Sequence, residues 1–206
     1  MTPAARPLPE WTNGYAKLRD RIASVPAPGI LRSVAADGGD VELLRYWPED
    51  TWQIPADTNR LMLLGQPVEH SSAALAEQGW QLGATLVLLA GRPDDVEQVV
   101  KLPDTSALFE APMDDYDVVE VTDFDRPVAR GRMHFGPNYA LLSDPDLFSP
   151  SDPDTARRAV LANFAGSAFQ HGLPWLLLVA SEDNARELAE GWSRATRISV
   201  MMRERN

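Results

Sequence analysis

The chain contains no cysteine, and this absence removes a whole group of chemistries. Disulfide bridges, thiolate nucleophiles, cysteine-ligated zinc and iron–sulfur clusters all require that residue. The three histidines, His70, His134 and His171, show no HxH or HExxH spacing, so they do not form a zinc-binding motif. No acidic segment has the spacing of a calcium loop. We therefore predict that the protein has no metal site.

Basic residues are also scarce, since 19 Lys and Arg oppose 30 Asp and Glu and give a formal net charge of -11. Such a chain repels nucleic-acid phosphates and anionic membrane surfaces, and no basic cluster offsets this charge, so neither partner is expected. No apolar run reaches the roughly 18 residues of a membrane span. The first residues have no apolar core of signal-peptide length. We expect a cytoplasmic protein.

The composition that is present is that of a globular protein. The 206 residues are 44% hydrophobic and 24% charged, which suits one elaborated domain or two small ones. Apolar spacing predicts a helix on Trp11, Tyr15, Leu18 and Ile22, ended by Pro26. Further along the first half we predict a hairpin over 30–35 and 41–47, strands at 60–64 and 85–90, a helix at 68–78 and a short helix at 94–100.

The second half begins after a proline-containing polar connector, predicted over 103–112. It has hairpin strands at 117–122 and 128–135, a strand at 139–143 and a helix at 153–171, which Ser151 or Asp152 caps and whose buried side reaches His171. A strand at 175–180, a helix at 182–190 and a strand at 196–202 complete the prediction. We divide the chain into halves at 1–103 and 104–206.

Similar segments occur in the same order in both halves. LMLL (61–64), ALAEQGW (74–80) and ATLVLL (84–89) correspond to WLLLV (175–179), ELAEGW (187–192) and ATRISVMM (195–202). Chance similarity of buried strands is the plain alternative, but three matched segments with a shared Gly-Trp make it the weaker one. We predict a partial internal repeat.

The segment from about 117 to 206 resembles the carboxyl half of the GNAT N-acetyltransferases. The matching features are the strand and turn at 139–150 with Phe148-Ser149-Pro150, the helix at 153–171, the strand at 175–180, Glu182 to Arg186, and Gly191-Trp192. The resemblance implies an α/β (α+β) fold with a mixed, mostly antiparallel sheet flanked by helices. With the repeat, it implies a tandem GNAT with a truncated first half.

The resemblance also implies acetyl-CoA as cofactor and a set of site residues. Asn184 would bind the pantetheine arm, although at a helix start it is equally a good cap. A strand amide near Leu141 or Leu142 would bind the oxyanion. Asp144 and Asp146 flank the strand end where an amine would approach, which makes them candidate general bases, although solvated turn residues are the plainer interpretation. The other implied cofactor-binding residues are Phe148, Ala156, Arg157 and Arg158.

The cofactor loop departs from the family pattern, so we predict a degenerate loop. The family's glycines are absent, Pro153 replaces its basic lead residue, and Asp152 and Asp154 add negative charge beside the helix start. The tyrosine that protonates the departing thiolate in this family is also missing, because no Tyr follows Phe148. Two hypotheses follow. The first is an acyl-CoA-dependent N-acyltransferase acting on a small-molecule or peptide amine. The second is a catalytically inactive GNAT-like binding or scaffold protein, for which a homodimer is an option.

Overall fold

A computed structural model describes residues 6–48, 52–96, 99–148, 150–188 and 190–203. It contains four helices and twelve strands within these ranges. The first part of the chain forms α1 (Trp11–Leu18), β1 (Arg21–Ala27), β2 (Ile30–Ala35), β3 (Val41–Tyr46), β4 (Arg60–Leu64), α2 (Glu69–Glu77) and β5 (Gln81–Gly91). The rest forms β6 (Ser106–Pro112), β7 (Asp117–Asp123), β8 (Arg126–Phe135), β9 (Tyr139–Ser143), β10 (Asp146–Leu147), α3 (Pro153–Gln170), β11 (Trp175–Ser181), α4 (Glu182–Glu187) and β12 (Trp192–Met202).

Residue contacts group the chain into two compact units. Unit 1 comprises Met1–Val87 with Thr196–Asn206, and unit 2 comprises Leu88–Ala195. This grouping is not contiguous in sequence because the long strands β5 and β12 each contribute residues to both units. It therefore differs from a simple cut at residue 103, and the division of the chain into two related halves stays a prediction.

Unit 1 is a mostly antiparallel sheet with the strand order β1-β2-β3-β4-β12-β5. Strands β1, β2 and β3 are joined as antiparallel neighbours, β3 and β4 run parallel, and β12 returns antiparallel to β4. Helix α1 packs on β1 and β2. A core cluster holds Leu43, Trp47, Leu61, Leu63, Leu75, Trp80 and Met201. The central strand β4 is apolar on both faces, as its continuous run of buried residues predicts.

Unit 2 has the strand order β5-β11-β9-β8-β7-β6, and the short strand β10 pairs with β8. Strands β6, β7, β8 and β9 are joined as antiparallel neighbours, and β9 runs parallel to β11. Helix α3 packs across β7 and β8. A Cβ at Gly131 would lie 2.5 Å from Val160 Cγ1 and 2.7 Å from a ring carbon of Phe164, so glycine on β8 permits this close approach of helix and sheet.

Several sequence predictions are confirmed in this fold. The hairpin of β2 and β3, strands β4 and β9, and helices α2 and α3 lie where the apolar patterns placed them, within one or two residues. Asp152 is the cap of α3, and its side chain accepts a hydrogen bond from Thr155 N. The expected α/β class with a mostly antiparallel sheet flanked by helices is therefore correct.

Other boundaries were wrong, for identifiable reasons. The first helix stops at Leu18, Asp20 adopts φ 54°, and Ile22 belongs to β1, where it is 72% exposed. The connector at 103–112 is largely β6, whose exposed residues carry no alternating pattern. The predicted helix at 94–100 is a single 3₁₀ turn at Pro93–Asp95, with residues 97 and 98 outside the described part. Helix α4 ends at Glu187, and His171 is exposed beyond the end of α3.

A buried carboxylate organises one face of unit 1. Glu42 on β3 is 1% exposed and receives two hydrogen bonds from Arg19, at 2.8 and 2.6 Å. Ser33 donates to the same carboxylate, and Arg21 bonds both Ser33 and Asp40. Burial by itself would raise the pKa of Glu42, but the hydrogen bonds and charge of Arg19 outweigh it and hold that pKa below its usual 4.5.

Replacing this carboxylate should destabilise the protein and change its acid sensitivity. Glu42→Gln leaves the Arg19 charge without its partner, and we expect a loss of about 3 kcal/mol at pH 7. A lowered folded pKa contributes stability above about pH 4.5 that is lost as the pH falls through the folded value. Urea denaturation between pH 7 and pH 3 measures both effects. The exposed Glu77→Gln is the control, and an unchanged acid dependence in Glu42→Gln would contradict this interpretation.

Candidate active site at the ends of two parallel strands

The candidate site lies in unit 2, where two parallel strands part. Strands β9 and β11 are paired from Tyr139 with Trp175 to Ser143 with Val179. The chain then turns away at Asp144-Pro145 and continues as β10, which pairs with β8, whereas β11 runs on to Ser181. Proline has no N–H for a ladder bond, so the pairing ends at this dipeptide. An opening is left at the carboxyl ends of the two strands.

A chain of polar side chains spans this opening. Asn184 Nδ2 donates to Asp144 Oδ2 at 2.6 Å, and Asn184 Oδ1 accepts from Arg157 at 3.2 Å. Arg157 also donates to Glu187 at 2.7 Å. Asn184 is fixed from behind, because its backbone N–H donates to the Ser181 hydroxyl at 3.1 Å. The residue after β9, helix α3 and helix α4 each contribute a side chain to this network. The orientation of the Asn184 amide follows from its two partners, Asp144 and Arg157.

The network contains two polar atoms that lack hydrogen-bond partners. Within the described residues, Asp144 Oδ1 and Arg157 Nε are buried and unpaired. Burial raises the pKa of Asp144 above its usual value, and the hydrogen bond from Asn184, the charge of Arg157 and the amide of Ser181 compensate only in part. A carboxyl group with a raised pKa and a free oxygen is suited to accept a proton.

The start of α3 is occupied by the chain's own carboxylate. Asp152 accepts from the Thr155 amide at 3.0 Å, its backbone oxygen accepts from the Ala156 amide at 3.1 Å, and Pro153 has no N–H to offer. The hydrogen bond from the Thr155 amide is the main reason that the pKa of Asp152 is lowered. The adjoining cavity has a volume of about 30 Å³, which is room for about one water molecule.

The GNAT resemblance implies acyl-CoA, and the described residues fit this cofactor only in part. At the opening, Asp144, Asn184 and Arg157 supply polar side chains, but the unpaired Asp144 Oδ1 and Arg157 Nε atoms are buried and would have to be exposed before a ligand could reach them. The start of α3 does not fit a diphosphate, because Asp152 occupies its amides and adds a negative charge. In this structure the residues at the start of α3 therefore do not hold the phosphate end of the cofactor.

The structure brings together three of the predicted site residues, Asp144, Arg157 and Asn184, and separates the others. Asp146 is exposed on β10, and Phe148 is exposed with the Arg130 guanidinium 5.7 Å from its ring centre. Ala156 is buried beside the small cavity, and Arg158 lines a different cavity with Trp192. Of the predicted Phe148-Ser149-Pro150 turn, Ser149 lies outside the described residues.

The strand expected to bind the oxyanion is a central strand of unit 2. Leu141 and Leu142 are fully buried in β9, and the strand pairs with β8 on one side and with β11 on the other. Their continuous apolar run is the pattern of such a strand. The oxyanion role of an amide near Leu141 or Leu142 stays a prediction.

Sequence reasoning missed two members of the network. Ser181, not Asn184, is the cap of α4, as the Ser-x-x-Asn spacing at the end of a strand could have indicated. Glu187 follows Asn184 by three residues and therefore shares its helix face, but its partner on α3 could not be read from the sequence.

The described ranges contain no group of three or more His, Asp or Glu side chains that could hold a metal ion. None of their helices is long and apolar enough to cross a membrane.

Comparison with known proteins places the fold. No protein-family model and no curated protein matches the sequence. Among solved structures, the GCN5-related N-acetyltransferase from Kribbella flavida superposes with a TM-score of 0.63 at 14% identity, covering 95% of each chain. A functionally unknown conserved protein from Staphylococcus epidermidis gives 0.67 at 9% identity, covering 91% of this chain and 96% of that one.

A third similar structure is a tandem GNAT protein from the clavulanic acid biosynthesis pathway, with a TM-score of 0.56 at 9% identity. The match covers 84% of this chain and 77% of that one. At such identities the similarity establishes architecture and nothing finer. The chain therefore has the fold of the GCN5-related N-acetyltransferases.

Proposed function

We propose that the protein is a GNAT-type N-acyltransferase that moves an acyl group, most simply acetyl, from acyl-CoA to an amine of a small molecule or peptide. The observation that carries the proposal is the position of Asp144. Its carboxyl group lies at the parting of β9 and β11 with one oxygen buried and unpaired, and burial raises its pKa. The structural neighbours whose names include N-acetyltransferase or GNAT lend further support.

Asp144 has the properties of a general base for an amine. Once exposed to substrate, its Oδ1 atom would accept the proton that the amine nitrogen loses as the amide bond forms and the thioester C–S bond breaks. That proton would then pass to the departing CoA thiolate, so that CoA leaves as the thiol. Asn184 holds the other oxygen at 2.6 Å and fixes the direction of the carboxyl group. Arg157, which bonds Asn184, keeps a positive charge near the carboxylate without a direct ion pair between them. Acyl-CoA, when bound, supplies the activated acyl group.

A second candidate function has its own supporting observation. The Asp152 carboxylate already accepts the Thr155 amide at the start of α3, where related proteins would be expected to hold phosphates. If that contact persists in solution, the protein is a catalytically inactive GNAT-fold binding or scaffold protein. The two candidates differ in whether acyl-CoA binds at all.

Replacing Asp144 separates catalysis from stability. Asp144→Asn keeps the shape and a hydrogen-bonding oxygen but cannot take a proton, and we expect acetyl transfer to amines to fall about 100-fold or more. Stability at pH 7 and the Tm should rise, because burial disfavours the ionised carboxylate, whose pKa is raised. Rates with a panel of amines and thermal melts measure the two effects.

The matched control is Asp125→Asn, which alters an exposed carboxylate of unit 2 whose charge is not among the causes that shift the pKa of Asp144, and which should change neither value. An Asp144→Asn variant that keeps full activity would exclude Asp144 as the base. A melt at pH 3, where the wild-type carboxyl is largely protonated, should reduce the difference in stability between Asp144→Asn and wild type.

Binding of acetyl-CoA distinguishes the two candidates. At about 100 times the dissociation constant, a ligand adds about 2.7 kcal/mol, or roughly 5–10 °C in Tm. We expect such a shift in the wild type and a larger one in Asp152→Asn, which keeps a capping side chain but removes a negative charge. The exposed Asp125→Asn is the control for net charge. If acetyl-CoA shifts the Tm of neither the wild type nor the variants, the acyltransferase proposal fails and the inactive binding or scaffold protein is favoured.

A further inference from the structure

A cavity in unit 1 plays no part in the proposed reaction. It has a volume of about 1190 Å³ and lies at the amino ends of the parallel strands β3 and β4. Its walls come from the loop at 56–59, the end of α2, the first residues of β5 and the end of β12. Its lining residues all belong to unit 1, whereas Asp144, Asn184 and Arg157 belong to unit 2.

One guanidinium in the wall carries a charge that no carboxylate neutralises within the described ranges. Arg203 donates to the carbonyl oxygens of Ala56 at 3.4 Å and Thr58 at 3.2 Å, and lies 4.8 Å from the Trp80 ring centre. Carbonyls and an indole ring hold the side chain in place but leave its charge uncompensated. The other arginine of the wall, Arg32, is paired with Asp57 at 2.9 Å.

The same walls expose apolar side chains. Leu82 is 56% exposed and Met202 is 46% exposed, and both line the cavity together with Val34 and Val41. Apolar surface beside a fixed positive charge suits a ligand that has an apolar body and one acidic group. The absence of a second uncompensated arginine in the wall disfavours ligands that carry several phosphates.

We propose that this cavity binds a carboxylate with an aliphatic body. The carboxylate group pairs with Arg203, and the aliphatic body packs on Leu82 and Met202. A cation of the same shape is repelled by Arg203, and a neutral alcohol lacks the ion pair.

Isothermal calorimetry on the full-length protein tests the proposal with three probes of one chain length: octanoate, octanol and octylammonium, all below their micelle-forming concentrations. Octanoate should bind with one site per chain, and the other two at least about tenfold more weakly. Leu82→Glu places a negative charge on an exposed wall position and should weaken octanoate binding about tenfold or more. The matched control is Ile22→Glu, an exposed apolar position of unit 1 that does not line the cavity, and this change should leave binding unchanged.

Arg203→Gln tests the charge itself and should abolish the preference of the wild type for octanoate over octanol. Equal binding of all three probes, or unchanged octanoate binding in Leu82→Glu, would overturn the proposal, as would failure of octanoate to bind at all. Because the variants lie outside the candidate active site, acetyl transfer by Leu82→Glu should remain at the wild-type rate. The outcome for this cavity is therefore separable from that for the acyltransferase.

Discussion

The parting of a parallel strand pair at a proline is the constraint on which the candidate site depends. Strand β9 is hydrogen-bonded to β8 and β11 as far as Ser143, and Pro145 then ends the pairing. Polar groups at the resulting opening need new partners, because buried unpaired groups cost free energy. Asp144, Asn184 and Ser181 supply them across the opening. The candidate site therefore consists of the groups that form hydrogen bonds where the pairing of β9 and β11 ends.

Unit 1 solves the same problem with different residues. Strands β3 and β4 are parallel up to Tyr46 with Leu64, and Trp47-Pro48 follows, just as Asp144-Pro145 follows β9. A side chain of the next helix again reaches back, since the Ser71 hydroxyl donates to Pro48 O at 2.5 Å. A repeat would produce such a correspondence. In unit 1 the residue before the proline is Trp47, whose indole packs into the core. Of these two positions, only that of unit 2 carries an ionisable group.

That difference also explains how a group with a raised pKa is tolerated. Asp144 is partly buried with one unpaired oxygen, an arrangement that costs stability. The cost is bearable because the surrounding network is fixed by elements that fold for other reasons: a capped helix α4 and a long helix α3 packed on β7 and β8. Functional groups are often held in unfavourable environments in this way.

Local apolar patterns in the sequence predicted individual strands and helices, but contacts between residues far apart in the chain could not be predicted from them. Continuous apolar runs identified β4, β9 and β11, since strands covered on both faces need little else to be recognised. The edge strands β1 and β6 escaped because one row of their backbone groups and most of their side chains face solvent. In the site, the placement of Asp144, Asn184 and Arg157 followed from a family resemblance. Their contact with Glu187, and the cavity formed by the ends of five elements in unit 1, depend on tertiary structure.

The negative charge of the chain is most consequential at a single helix start. Amides at the beginning of α3 and the helix dipole favour an anion, and Asp152 is that anion. Its lowered pKa expresses how well the carboxylate is held there, mainly by the Thr155 amide. A diphosphate at the same place would have to displace this contact and tolerate the charge of Asp154 as well. The charge of Arg158 acts on Asp152 itself, and Arg157 is already bonded to Glu187 and Asn184. Binding of a phosphate-bearing donor at this place therefore requires the helix start to rearrange.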